Sequence, residues 1–168
     1  MKIANKGFTF IELTVVIFLI GLTLFLAVPK FRYAFLTDKL KTTVRRMVGT
    51  IAALKSEAIR EQKVYMLHFD FESNRYWIET DGMTAEERAL AGEKAFEIPD
   101  AVRIVDIWRR EKGKKRIGKA TIRFDKNGYV EHSVIHLSAE DGRQFSLLLS
   151  PFLTKVKVLK GYVEFEAS

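Results

Sequence analysis

The sequence predicts an α+β fold: one long N-terminal helix followed by a domain of short antiparallel strands. Three observations predict it. Residues 8–28 are apolar except for Thr9, Glu12, Thr14, Gly21 and Thr23, and Pro29 follows. Apolar residues then recur at Leu36, Leu40, Val44, Met47, Ile51, Leu54 and Ala58, the alternating three-and-four spacing of one helical face. From position 64 the pattern changes to short segments rich in aromatic and β-branched residues, separated by turn residues.

The helix is expected over 8–62. Its first part, 8–29, holds the 21-residue apolar run 8–28, enough at ~1.5 Å per residue to cross roughly 30 Å of hydrocarbon. Gly21 lowers helix propensity and Pro29 removes a backbone donor, so the helix should be softest between them. The amphipathic half, 30–63, keeps Lys39, Lys41, Arg45, Arg46 and Lys55 off its apolar stripe, which must pack on something. In the remaining domain, 64–168, residues 64–71 place Tyr65, Leu67, Phe69 and Phe71 on one face, and Glu72-Ser73-Asn74 turns the chain into 75–80 as a hairpin. Residues 81–99 read as a surface loop carrying a short helix, with Thr84-Ala85-Glu86-Glu87 as a capped first turn.

Residues 102–108 form the next expected strand, and 109–119 a charged, solvated hairpin loop. Segments 120–124 and 129–137 flank Asp125-Lys126-Asn127-Gly128, a hairpin signal because asparagine and glycine tolerate positive φ. Glu140-Asp141-Gly142 joins the second of these to 144–149 in the same way. Segment 155–159 alternates lysine out and valine in, Gly161 interrupts, and Val163 and Phe165 share a last apolar face. This gives about seven strands, with the helix stripe packed against the sheets.

The chain has 168 residues, a formal net charge of +7 and no cysteine. That excludes a disulfide framework, a cysteine nucleophile and a cysteine-ligated zinc site, and it favours acidic partners without naming one. His132 and His136 lie four apart on a strand, about 13 Å at the usual rise, too far to share one metal. The 125–128 turn lacks the later oxygens and terminal glutamate of a calcium loop. No nucleophile-and-base signature, GxGxxG or P-loop is present, so a non-enzymatic protein without metal or cofactor is expected.

Glu12 lies near the start of the apolar run, where a carboxylate at bilayer depth costs a few kcal/mol and calls for a cation. A glycine, Gly7, precedes the run, so a cut there would leave the apolar segment on the mature chain with a new amine four residues from Glu12. Lys6-Gly7-Phe8-Thr9-Phe10-Ile11-Glu12 resembles the processing motif of type IV prepilins and type II secretion pseudopilins, with Gly21 and Pro29 at the family's helix-weakening positions. Ala58-Ile59-Arg60, and Leu149-Ser150-Pro151 followed by Lys155-Val156-Lys157-Val158, are similar to the GspH/FimT-type minor pseudopilins. The resemblance implies a pilin-like fold and a leader, 1–7, removed between Gly7 and Phe8 by a prepilin peptidase, with N-methylation of Phe8. It further implies a single-pass inner-membrane anchor, a periplasmic C-terminal domain, an inner-membrane assembly platform, and a helical filament shared with other pilins or pseudopilins. Lys30, Arg32, Lys39 and Lys41 outnumber the leader's Lys2 and Lys6, so orientation rests on the resemblance and not on the positive-inside count.

Two functions follow. The first is a structural minor pseudopilin of a type II secretion system, whose filament promotes protein export. The second is a FimT-like minor type IV pilin that binds DNA during natural transformation. The second would use the basic run, with Arg109, Arg110, Lys112, Lys114, Lys115, Arg116 and Lys119 on phosphates and Trp108 stacked on a base. The same run could instead face anionic lipid headgroups.

Overall fold

In the computed structural model the described residues are 10–153 and 155–164, with side chains described outside 24–38. Two compact units are present, 1–35 and 36–168. Helix α1, Phe10–Glu61, includes Gly21 and Pro29 in one continuous element. Within the second unit its expected stripe is buried at every described position: Leu40, Val44, Met47, Ile51, Leu54 and Ala58. Leu36 lies outside the described side chains. The helix stops at Gln62, which adopts φ 52° and donates from Nε2 to the Ile59 carbonyl at 2.9 Å, satisfying one of the last orphan acceptors.

Among the described residues nine strands follow, where about seven were expected. A four-stranded antiparallel sheet runs β3-β2-β1-β6, from β1 (Tyr65–Asp70), β2 (Arg75–Thr80), β3 (Phe96–Glu97) and β6 (Lys119–Phe124). A five-stranded antiparallel sheet runs β5-β4-β7-β8-β9, from β4 (Val102–Arg109), β5 (Gly113–Lys115), β7 (Ser133–Ala139), β8 (Gln144–Leu149) and β9 (Lys157–Lys160). The α1 stripe and the inner faces of both sheets form one apolar cluster that includes Leu67, Phe69, Ile107, Ile122, Phe124, Ile135, Leu137 and Leu147. The first hairpin is as expected, with Leu67 opposite Ile78 and Tyr65, Leu67 and Phe69 buried. Helix α2 (Ala85–Glu93) is capped by Thr84, whose side chain accepts from the Glu87 N–H while Glu87 accepts from the Thr84 N–H, a complete capping box.

Three expectations are corrected. The 125–128 turn forms, with the Gly128 N–H donating to the Asp125 carbonyl at 2.8 Å, but β6 and β7 do not pair as a hairpin. Only the bridge between Phe124 and Val130 joins the flanks, and the chain then passes from one sheet to the other. The turn is pressed on α1: Gly128 has φ 76°, and a Cβ there would meet Ile59 Cδ1 at 2.7 Å. The basic run is a hairpin whose side chains are mostly exposed, as expected, but it is not all loop: Arg109 is buried at the end of β4, 113–115 fold back on β4 as β5, and Lys119 opens β6. In the last segment Val156 packs against the core but Val158 is exposed, since β9 is a sheet edge.

Asn74 ties the two sheets together. At φ 48°, a conformation asparagine tolerates, its Nδ2 donates to the Val102 carbonyl at 2.7 Å and its Oδ1 accepts from the Ile104 N–H at 3.2 Å. Asn74→Gly keeps the left-handed backbone accessible while removing the amide. Two partners at the start of β4 then lose a hydrogen bond, and stability should fall by about 1–3 kcal/mol. Urea denaturation of a soluble fragment beginning near Arg32 should show a lower midpoint at unchanged slope; an unchanged midpoint would mean that the amide adds nothing to the join.

Candidate functional site

The residues expected to act in assembly occupy the first unit. Gly7 and Phe8, the expected cleavage and methylation positions, lie outside the described residues, as does the Pro29 side chain. Glu12 sits in the first turn of α1, where a carboxylate is favoured by the helix dipole. Around it the helix is apolar on all sides and exposed: Phe10 is 86% exposed, Ile11 72% and Phe18 69%, with Leu13, Ile17 and Leu19 more than half exposed. A helix apolar all round needs an apolar surrounding. Among the described residues no helix is long and apolar enough to cross a membrane, and the expected span, 8–29, lies partly outside them.

The basic run is divided by the fold. Trp108 is buried at the end of β4, in edge-on contact with the His132 ring at 5.7 Å, so it has no free face for a base. Arg109 is also buried: its Nη1 donates to the Thr121 carbonyl at 2.9 Å and lies 3.8 Å from Glu131, joining the end of β4 to β6. Lys114 pairs with Glu164 at 3.1 Å and lies over the Tyr162 ring at 5.1 Å. Arg116 lies 3.7 Å from the buried Asp106, and Lys119 over the Trp77 ring at 5.4 Å. Arg110, Lys112, Lys114, Lys115, Arg116 and Lys119 are all exposed. The run therefore keeps six basic side chains on the surface, with Trp108 and Arg109 withdrawn from it.

Sequence reasoning missed a buried polar clasp on the outer face of the five-stranded sheet. The register of β4 against β7 shifts between Ile104 and Asp106, leaving Val105 as an extra residue and setting Asp106 opposite His136. His136 is in turn opposite Ser146 on β8. His136 Nδ1 is 2.7 Å from Asp106 Oδ1, and its Nε2 is 3.0 Å from the Val163 carbonyl. Both neighbours accept, so the ring can donate at both nitrogens only as the imidazolium. The Tyr162 hydroxyl donates to Asp106 Oδ2 at 2.8 Å, and its ring stacks on His136 with centroids 4.0 Å apart. Ser146 Oγ donates to the Gly161 carbonyl and accepts from the Val163 N–H. The row Asp106, His136 and Ser146 therefore binds the C-terminal strap 161–163, and its side chains are committed to that strap and not to a substrate. The sequence held one signal, the three-residue step from Ile104 to Ile107 where strict alternation would give two. Among the described residues no group of three or more acidic or histidine ligands could hold a metal.

No protein-family model matches the chain, and no curated protein matches it. Among solved structures it is similar to the minor pseudopilin EpsH from the type 2 secretion system of Vibrio cholerae, with a TM-score of 0.52, 13% identity, and 73% of this chain and 98% of that one covered. A crystal structure of EPSH from the same system gives a TM-score of 0.47 at 11% identity, over 69% and 96% of the two chains. The likeness to the first is one of fold: this α+β chain, with its antiparallel sheets, has a pseudopilin-like fold.

Burial alone would raise the Asp106 carboxyl, but hydrogen bonds from His136 and Tyr162 outweigh it and hold the group below its ordinary value. A depressed folded value means that the stabilisation is fully present above the unfolded value, about 4, and is lost as pH falls through the lower folded value. Thermal unfolding of the wild type should therefore weaken steeply below about pH 4. Asp106→Asn should unfold earlier at neutral pH, by about 3 kcal/mol for a broken buried pair, and show a flatter acid limb. Parallel acid limbs for the two proteins would remove Asp106 as the source of that dependence.

Proposed function

We propose that the chain is a structural minor pseudopilin of a type II secretion system, a subunit and not an enzyme. The observation that carries the reading is the conjunction of a pseudopilin-like fold with an N-terminal Gly7-Phe8-Thr9-Phe10-Ile11-Glu12 and an exposed apolar helix start. In this reading the precursor is held in the inner membrane by 8–29, with the β-domain in the periplasm. Prepilin peptidase removes 1–7, Phe8 is methylated, and an inner-membrane platform passes the subunit into a short filament. There the apolar side chains from Phe10 onward are covered by neighbouring helices, and Glu12 pairs with the Phe8 amine of the next subunit. An unpaired buried carboxylate costs several kcal/mol while a paired one roughly breaks even, so the pair sets register more than it adds strength. A DNA-capturing pilin would share this helix and differ in its globular surface, where Trp108 and Arg109 are taken up by the fold.

Mass spectrometry of the membrane-extracted chain should find a methylated Phe8 start, and Gly7→Val should leave the full-length precursor. A Met1 start in cells that carry the peptidase would overturn the assignment. Glu12→Ala should still be inserted and cleaved and leave the folding of 36–168 unchanged, because the residue belongs to the first unit and is no member of the core cluster. Its cross-linking to partner subunits should be lost, whereas wild-type levels of cross-linking would remove the charge pairing.

A further inference from the structure

Two surfaces of the second unit, unconnected with each other in one molecule, have complementary form. The first is a groove of about 240 Å³ between α1 and the end of β8, floored by Val48, Ile51, Leu153 and Val156 and flanked by Lys55 and Lys155. Its volume falls below the ~300–1,000 Å³ of cavities that enclose drug-sized ligands, and it suits an inserted side chain better. Among the described residues Lys55 and Lys155 are its only charged lining. Lys55 Nζ also donates to the Leu153 carbonyl at 3.0 Å, which fixes one wall. Phe152, on the adjoining loop, is 92% exposed.

The second surface is α2. None of its residues is buried. Arg88 reaches toward the sheet, with Nε 3.9 Å from Glu79 of β2. Residues 86, 90 and 93 are spaced four and three apart and fall on the helix face opposite Arg88, which points them away from the sheet. That outward stripe is Glu86, Leu90 and Glu93, with Leu90 51% exposed: one apolar knob between two carboxylates. A surface helix that packs on its own sheet by one side and turns its apolar residue outward leaves that outer side open to a partner.

We propose that the groove receives the Glu86–Leu90–Glu93 face of α2 from a second copy of this chain, with Leu90 against Val48 and Val156 and the two carboxylates toward Lys55 and Lys155. The charge complementarity selects this occupant, since an uncharged or basic helix face would leave the two lysines facing no counter-charge. A molecule does not fill its own groove. Helix α2 sits beside β2 near the β3 edge of the four-stranded sheet, while the groove opens beside Phe124 of β6, the other edge. The contact is therefore heterologous, one patch meeting a different patch, and it repeats from copy to copy in an open chain unless its rotation closes a ring. It deepens the assembly reading and rests on it, by naming which globular surfaces meet when neighbouring subunits are of this kind.

The absence of cysteine makes the test clean. Full-length Leu90→Cys and full-length Ala52→Cys, both at exposed positions, are produced together and treated with an oxidant in the membranes of the producing cells. A disulfide-linked dimer should form in the mixture, and much less in either variant alone. The chain carrying both substitutions should give a ladder of higher multimers. Lys155→Glu should lower the cross-linked fraction roughly two- to fivefold, the range for an exposed ion pair, and Glu86→Lys together with Lys155→Glu should restore it. No dimer in the mixture, equal dimer from one variant alone, or charge reversals without effect would each overturn the contact. Loss of this cross-link while Glu12-dependent cross-linking to other subunits persists would remove only the self-contact. Loss of both would remove the assembly reading with it.

Discussion

The apolar stripe from Leu40 to Ala58 is the constraint on which the second unit depends. A helix that presents buried residues every three or four positions must be covered along its length, and one strand hairpin is too narrow to do it. Two antiparallel sheets supply the cover with their inner faces, and the result is a single apolar cluster shared by the helix and both sheets. The devices that join the sheets serve this arrangement. Asn74 links the start of β2 to β4, Arg109 links the end of β4 to β6, and the 125–128 turn carries the chain from one sheet to the other. Gly128 is where that crossing touches the helix, and its missing side chain lets the turn approach Ile59.

Much of this was legible in the sequence because it is local. The stripe is a spacing of apolar residues and needs no knowledge of what covers it, and the same holds for the capped turn at Thr84 and for the Tyr65, Leu67, Phe69 alternation. Strand partnership is different. The residues at 125–128 specify a tight turn, and the turn formed, but whether its two flanks pair with each other depends on what each flank finds elsewhere: β6 finds β1, and β7 finds β4 and β8. Strand β3 has only Phe96 and Glu97, too short to show a period.

The candidate site divides along the same line. The roles expected of Glu12 and Gly7-Phe8 come from residues at adjacent positions, and Gly7 and Phe8 lie outside the described residues. Within the basic run Trp108 and Arg109 were misjudged, because composition alone does not say whether a side chain is solvated. Arg109 is drawn inside by an acceptor twelve positions away and by Glu131, and Trp108 by the neighbouring His132. The clasp of Asp106, His136 and Ser146 comes from three strands and one bulge, and adjacent sequence could not have assembled it.

The outermost strands carry a further consequence. At the borders of the five-stranded sheet, β5 is Gly113–Lys115 and β9 is Lys157–Lys160, both short and rich in lysine. The four-stranded sheet ends on the two-residue β3 at one border and, at the other, on β6, which carries Lys119 and Arg123. Each margin is thus either only two residues long or carries positive charge, so two such domains held close together are poorly disposed to fuse into one continuous sheet. In the proposed filament, crowding would then leave each domain intact, and contact between domains would fall to side chains, which can form and release without unravelling either fold.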